Sequence, residues 1–194
     1  MTELPKLPAK DPADSVEDDK SLAQRAVSDP DAFAALYRRH LDRVYRYVLV
    51  RLGDHFLAED VTAQTFLAAL EGIGSYRGDG AVSAWLLSIA RNKAADALRR
   101  QRGTLPLDAA AELASPQPSP EHVAAARLQL QQVVRVLRAI APERGEALAL
   151  RIFGGLSVAE TARVLGKSEA AIKMLVLRAT QDLRVRLAPG EEDA

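Results

Sequence analysis

The sequence predicts an all-α protein of two helical domains joined by a proline-rich linker, with a helix-turn-helix in the C-terminal one. Three observations predict this. Apolar residues recur at helical spacing on both sides of the middle of the chain. Four prolines (Pro106, Pro116, Pro118 and Pro120) crowd the segment between them, where they stop helices and favour extended chain. Helix-start and helix-stop residues punctuate the remainder at short intervals.

The elements follow in order. Residues 1–20 are rich in proline and acid and poor in large apolar groups, so they are expected to be a disordered tail. The first domain is expected over 21–102. Asp29-Pro30-Asp31 reads as a helix start, a capping acid followed by proline at the first helical position. Phe33, Leu36, Tyr37, Val44, Tyr47 and Val48 then keep a helical period. Asp54 is placed to cap the next helix, with Val61, Phe66, Leu67 and Leu70 as its apolar positions. Gly72, Gly74, Gly78 and Gly80 mark a loop, and a long helix is expected from about Val82 to Gln101. Its inner stripe is Trp85, Ile89 and Ala97. Its outer stripe is Asn92, Asp96, Arg99 and Arg100.

The linker is expected over 103–120, the second domain over 121–188 and an acidic tail over 189–194. One helix is expected from Glu121 to Ile140, and Pro142 opens another that ends near Gly154-Gly155. Ser157-Val158-Ala159-Glu160 spells a capping box. The helix it starts stops at Gly166, and Ser168 caps a long last helix. Two helices around so short a turn form a helix-turn-helix pattern.

Composition narrows the function classes. The 194 residues are 48% hydrophobic and 27% charged, as in globular proteins, and the N-terminus lacks the apolar core of a signal peptide. No apolar run is long enough to span a bilayer, so no membrane insertion and a cytoplasmic location are expected. With no cysteine and three scattered histidines (His40, His55 and His122), neither a disulfide nor a local metal motif is expected. No nucleophile–base pair or phosphate loop is visible, so no enzymatic activity and no cofactor are expected. The formal net charge is zero, but it is unevenly spread. Residues 77–102 hold six bases against two acids and residues 167–187 five against two, while residues 1–31 hold eight acids against four bases. Such basic stretches suit phosphate contacts, or equally a solvated helix face.

Residues Gly154 to Arg184 carry a more specific pattern. Gly155, Leu156, Ser157, Glu160, Ala162, Leu165 and Gly166 lead into Ser168, Ile172, Lys173, Arg178 and Ala179. This run resembles the promoter-binding C-terminal domain of the sigma-70 family. Independently, Ala58 to Leu67 resembles that family's polymerase-binding helix, and Trp85 to Asn92 with Asp96, Arg99 and Arg100 resembles its promoter-melting helix. The resemblance covers about residues 20–187 and fits the compact extracytoplasmic-function group. It implies that 21–102 is sigma domain 2 and 121–188 is sigma domain 4.

The resemblance implies roles for particular residues. Glu59, Asp60, Gln64 and Phe66 would contact core RNA polymerase, with buried packing the alternative for Phe66. Tyr76, Arg77, Asp79, Trp85, Asn92, Arg99 and Arg100 would meet the −10 element, Tyr76 in a loop that captures a flipped base. Core packing is the alternative for Tyr76 and Trp85. Ser168, Glu169, Lys173, Met174, Leu177 and Arg178 would meet the −35 element in the major groove. Two departures stand out. Met174-Leu175-Val176-Leu177 replaces the polar or basic residues common in relatives, and Ala63-Gln64 stands where Gln-Glu is common. Met174 and Leu177 would touch thymine methyls, or else pack on another protein surface. The implied partners are core RNA polymerase, duplex and single-stranded promoter DNA, and an anti-sigma factor, with nucleoid association when active. A polymerase-independent helix-turn-helix regulator and a helical protein-interaction module are the competing readings.

Overall fold

The computed structural model describes residues 18–103, 131–137 and 139–187, and every regular element among them is helical. Most of the expected tails, the linker from 104 onward and the start of the helix expected at Glu121 lie outside the described residues. The helices are α1 (Asp19–Arg25), α2 (Pro30–Leu52), α3 (His55–Gly72), α4 (Val82–Gly103), α5 (131–137), α6 (Pro142–Ile152), α7 (Val158–Leu165) and α8 (Glu169–Leu187), with a 3₁₀ turn at Ile73–Ser75.

The boundaries follow local chemistry. The Asp29 carboxylate accepts the Asp31 amide at 3.0 Å, and Pro30 opens α2. Gly53 ends it at φ 71°, a left-handed conformation that suits glycine, and its amide donates to Leu49 O at 2.7 Å. Asp54 then accepts the Leu57 amide at 2.8 Å and starts α3. The capping box of α7 is complete: the Glu160 amide donates to Ser157 Oγ at 3.2 Å and the Ser157 amide to Glu160 Oε2 at 2.6 Å. Burial opposes the Glu160 charge, yet the Ser157 hydrogen bonds hold its pKa below the usual carboxylate value. Gly166, at φ 63°, ends α7, and Ser168 Oγ accepts the Ala171 amide at 3.2 Å to start α8. Each such cap contributes about 1 kcal/mol.

One element differs from expectation. Asp18, Asp19 and Lys20 were assigned to the disordered tail, but Asp18 caps α1 by accepting the Ser21 amide at 2.7 Å, and the other two begin the helix. The reason is tertiary. Asp19 lies 2.6 Å from Arg39 Nη1 and 2.9 Å from Nε2 of buried His40, both on α2, while Leu22 and Ala23 are buried. The contact with His40, then that with Arg39, lowers the Asp19 pKa to about 2 against the cost of burial.

Val44, Tyr47, Val48, Val61, Leu86 and Leu87 form the centre of α1–α4, and Leu148, Leu150, Leu156, Ile172 and Ala179 that of α6–α8. The two groups also pack on each other, α7 against α4 and α6 against α2. At this junction Glu146 of α6 is buried. Tyr47 Oη donates to its Oε1 at 2.5 Å, Arg51 Nη2 lies 2.8 Å from its Oε2, and Arg91 Nε is 4.0 Å away. Burial first, then the Glu146 charge, pushes the Tyr47 hydroxyl pKa well up, so Tyr47 remains a donor.

Candidate nucleic-acid interface

The face of α3 opposite the core is the first candidate surface. Glu59 and Asp60 are exposed, and Gln64 Nε2 donates to Asp60 Oδ2 at 2.7 Å. Phe66 does not join them. It is 5% exposed, with its ring 4.7 Å from that of Tyr37 in an edge-on contact. Phe66 is therefore a core residue rather than a surface contact. Leu67 and Leu70 reverse in the opposite sense: expected inside, they are 58% and 47% exposed. With Phe56, also 58% exposed, Asp60 and Ala63, they form one outward stripe at spacings of three and four. The inner stripe is Ala58, Val61, Thr62, Thr65, Phe66 and Ala69, where Thr65 satisfies its hydroxyl by donating to Val61 O at 2.7 Å.

The second surface begins in the loop before α4. Tyr76 is half-buried, its ring 5.4 Å from Trp85 and tilted 45° to it, and its hydroxyl donates to Gly80 O. Burial, then the charges of Asp19 and Asp79, raises the Tyr76 pKa. Both rings face a cleft of about 260 Å³, which Arg77, Asp79 and Ser88 also line. Neither aromatic is wholly core, because both line open space. Further along α4, Asn92, Arg99 and Arg100 are exposed on one face, and Asp96 pairs with Arg99. The cleft has one wall the sequence did not reveal: Arg163 and Val164 of α7 line it, and Arg163 Nη1 donates to Asp79 O at 3.4 Å.

The third surface is α8. Ile172 and Ala179 are fully buried and anchor it on α6 and α7. Val176 is half-buried and packs on the hydrophobic core. Glu169, Lys173, Met174, Leu177 and Arg178 all face outward, with Ser168 exposed at the cap. Met174 and Leu177 are 47% and 50% exposed, an apolar strip between the two cations. Among the described residues, no cluster could hold a metal ion and no helix is long and apolar enough to cross a membrane.

Comparison with known proteins agrees with this geometry. Residues 36–104 match the family described as Sigma-70 region 2, and residues 130–183 match Sigma-70, region 4. The chain is 41% identical over 174 residues to the ECF RNA polymerase sigma factor BldN of Streptomyces coelicolor, covering 88% of this chain and 66% of that relative. It is 34% identical over 173 residues to the ECF RNA polymerase sigma factor SigM of Mycobacterium tuberculosis, covering 88% and 83%. Among solved structures, CnrH in complex with the cytosolic domain of CnrY superposes with a TM-score of 0.71 at 27% identity, covering 87% of this chain and 96% of that one. The chain belongs to the sigma-70 family and is an extracytoplasmic-function RNA polymerase sigma factor.

Proposed function

We propose that the chain works by recruitment, with a separate surface for each task. The outward stripe of α3 around Glu59, Asp60 and Gln64 docks on core RNA polymerase, its exposed Phe56, Leu67 and Leu70 supplying the apolar contact. The Tyr76–Trp85 cleft takes a base from the opened −10 strand, with Arg77 and Asp79 at its rim. Asn92, Arg99 and Arg100 hold the adjoining backbone. Helix α8 enters the −35 major groove, where Lys173 and Arg178 meet phosphate or base edges and Met174 and Leu177 meet thymine methyls. Domain 2 then comprises 21–102 extended to α1 at Asp19, and domain 4 the residues up to 188. The protein acts in the cytoplasm, on the nucleoid when engaged, and performs no bond chemistry of its own. An anti-sigma factor is a further partner, and CnrH itself was solved in complex with the cytosolic domain of CnrY.

The observation that carries this reading is the aromatic cleft lying at the start of the helix that bears Asn92, Arg99 and Arg100. A duplex-only regulator needs a recognition helix but no such cleft. Run-off transcription with purified core polymerase tests it: addition of the chain yields promoter-dependent transcript. Duplex binding without transcript would favour the polymerase-independent regulator. Asp60→Lys is expected to weaken core binding in a pull-down while changing stability by no more than about 0.5 kcal/mol.

A further inference from the structure

We infer that Lys20 of α1 is a positioning residue for the loop that presents Tyr76: its methylene stem braces Gly78 and holds the loop in the conformation that takes a single-stranded base. The inference rests on the reading of the Tyr76–Trp85 cleft proposed above. The −10 residues of that reading come from the loop and from α4. Helix α1 lies before residues 36–104, the stretch that matches Sigma-70 region 2, and Lys20 carries no role in that reading.

The loop needs a brace from outside. Gly74, Gly78 and Gly80 give its backbone wide freedom, which ordering must overcome. Tyr76 N donates to Ile73 O at 3.1 Å where the loop begins, and Ala84 N donates to Ala81 O at 3.0 Å where it ends. Among the described residues, none from 77 to 80 exchanges a backbone–backbone hydrogen bond. Inside the loop the Tyr76 hydroxyl closes on Gly80 O. Gly78 stands at φ 73°, and a Cβ on it would lie 2.9 Å from Lys20 Cε, 3.6 Å from its Nζ and 3.8 Å from its Cδ. The end of the Lys20 stem thus fills the space that a side chain at 78 would take. Lys20 is exposed, so its ammonium keeps its water while the methylenes lie on the loop.

Lys20 is itself held in place by its neighbours. Asp19 lies 2.6 Å from Arg39 Nη1 and 2.9 Å from His40 Nε2. His40 is buried, and so are Leu22 and Ala23, further along α1. The first turn of α1 is therefore fixed on α2 at the residue next to Lys20. A second observation sets that turn beside the cleft. After burial, the Asp19 charge is the strongest influence raising the Tyr76 pKa, followed by those of Asp79 and Asp18. Tyr76 thus stays protonated, with its hydroxyl on Gly80 O and its ring 5.4 Å from Trp85. Asp18 and Asp19 precede Lys20 and Asp79 follows Gly78, so the Lys20 ammonium stands among carboxylates that offset its pull on a phosphate. The stem, rather than the charge, is what acts. A loop braced in this way binds without first losing its freedom, and that preorganisation is where the affinity is gained.

Trp85 is the chain's one tryptophan, so its fluorescence reports on the cleft directly. Lys20→Ala and Lys20→Met are compared with the parent in the full chain, methionine keeping most of the stem without the charge. Lys20→Ala is expected to raise acrylamide quenching of Trp85 with no DNA present. It should also weaken binding of a −10 single-stranded oligonucleotide by about five-fold, the fall that follows when the loop is competent about a fifth of the time. Melting temperature and duplex −35 binding should match the parent, which separates positioning from general stability. Lys20→Met should match the parent in both quenching and single-strand affinity. Unchanged quenching and affinity in Lys20→Ala overturn the inference. An equal loss of affinity in Lys20→Met also overturns it, and assigns the ammonium to a phosphate instead. Failure of the cleft reading is distinct: Tyr76→Ala would then bind the oligonucleotide as the parent does, while Trp85 quenching would still show whether Lys20 sets the loop.

Discussion

Helix α8 and the Tyr76 cleft are the two regions proposed to read DNA, and they differ in what stands beside them. Lys173, Met174, Leu177 and Arg178 face solvent along α8, whereas Tyr76 and Trp85 share their cleft with Arg163 and Val164 of the other half. Both regions are laid out by local sequence. The cleft takes one wall from a distant part of the chain. The comparison teaches that a surface can be laid out by its own helix and loop and still take one wall from a distant neighbour.

The largest effect should come from undermining the open side. Ile172 is fully buried beneath α8, so Ile172→Ala should cost about 2–4 kcal/mol, read as a lower melting temperature. Duplex −35 binding should fall with it, while binding of a −10 single strand should persist. A loss of both activities together would mean that the two regions are not separable.

Next in size is the cleft. Tyr76→Ala should cost about 1–3 kcal/mol of single-strand affinity, the usual worth of a base stacked on an aromatic ring. Its duplex −35 binding should match the parent. Permanganate footprinting then separates the steps: reduced thymine reactivity at the −10 element with normal promoter binding is the expected pattern, and Asn92→Ala should follow it.

A smaller effect concerns α1, which backs the same loop: a Cβ on Gly78 would lie 2.9 Å from Lys20 Cε. Asp19→Asn should lower stability at neutral pH by about 1 kcal/mol, the charge being partly solvent-screened. The folded carboxyl titrates at about 2 rather than 3.8, so the unfolded chain takes up the proton first. The contribution is complete above about pH 4 and disappears as pH falls toward 2. Denaturant melts of the two proteins should therefore converge over that window and differ by a constant amount above it.

The smallest effects should sharpen the reading of α8. Lys173→Ala is expected to weaken all −35 sequences about equally and to lower the salt slope of binding by about one. Leu177→Arg should instead re-rank a randomised −35 library. An unchanged ranking would assign the apolar strip of Met174 and Leu177 to a protein partner.

Much of the fold was legible because its signals are local. Asp29-Pro30, Asp54, the Ser157–Glu160 capping box and Gly166 each act within one helical turn, and each stands where expected. The site was legible in part. Tyr76, Asn92, Arg99 and the outward residues of α8 lie on surfaces suited to the roles the family resemblance implies. Leu67 and Leu70 were misassigned because α3 carries apolar residues on every side, so helical period alone could not choose its inner face, while Phe66 takes the buried alternative to the contact that the resemblance implied. One available signal was the pairing of Thr62 and Thr65 with Val61 and Ala69. Small and β-branched residues fit a tightly packed helix contact, while the stripe through Phe56, Asp60 and Ala63 mixes charge with apolar groups as a docking surface does.

By itself the sequence determined where α2, α3, α7 and α8 start, which residues form the helix-turn-helix, and the family to which they belong. Each of these depends on neighbours within a few positions, through capping, backbone conformation and periodicity. Tertiary structure decided the rest: which face of α3 turns outward, that Asp19 has partners and so belongs to a helix, and that Arg163 and Val164 wall the Tyr76 cleft. Those outcomes depend on Asp19 meeting Arg39, Asp79 meeting Arg163 and Tyr47 meeting Glu146, at separations of 20, 84 and 99 residues. Such pairs are brought together by the packing of whole helices, which no short window of sequence encodes.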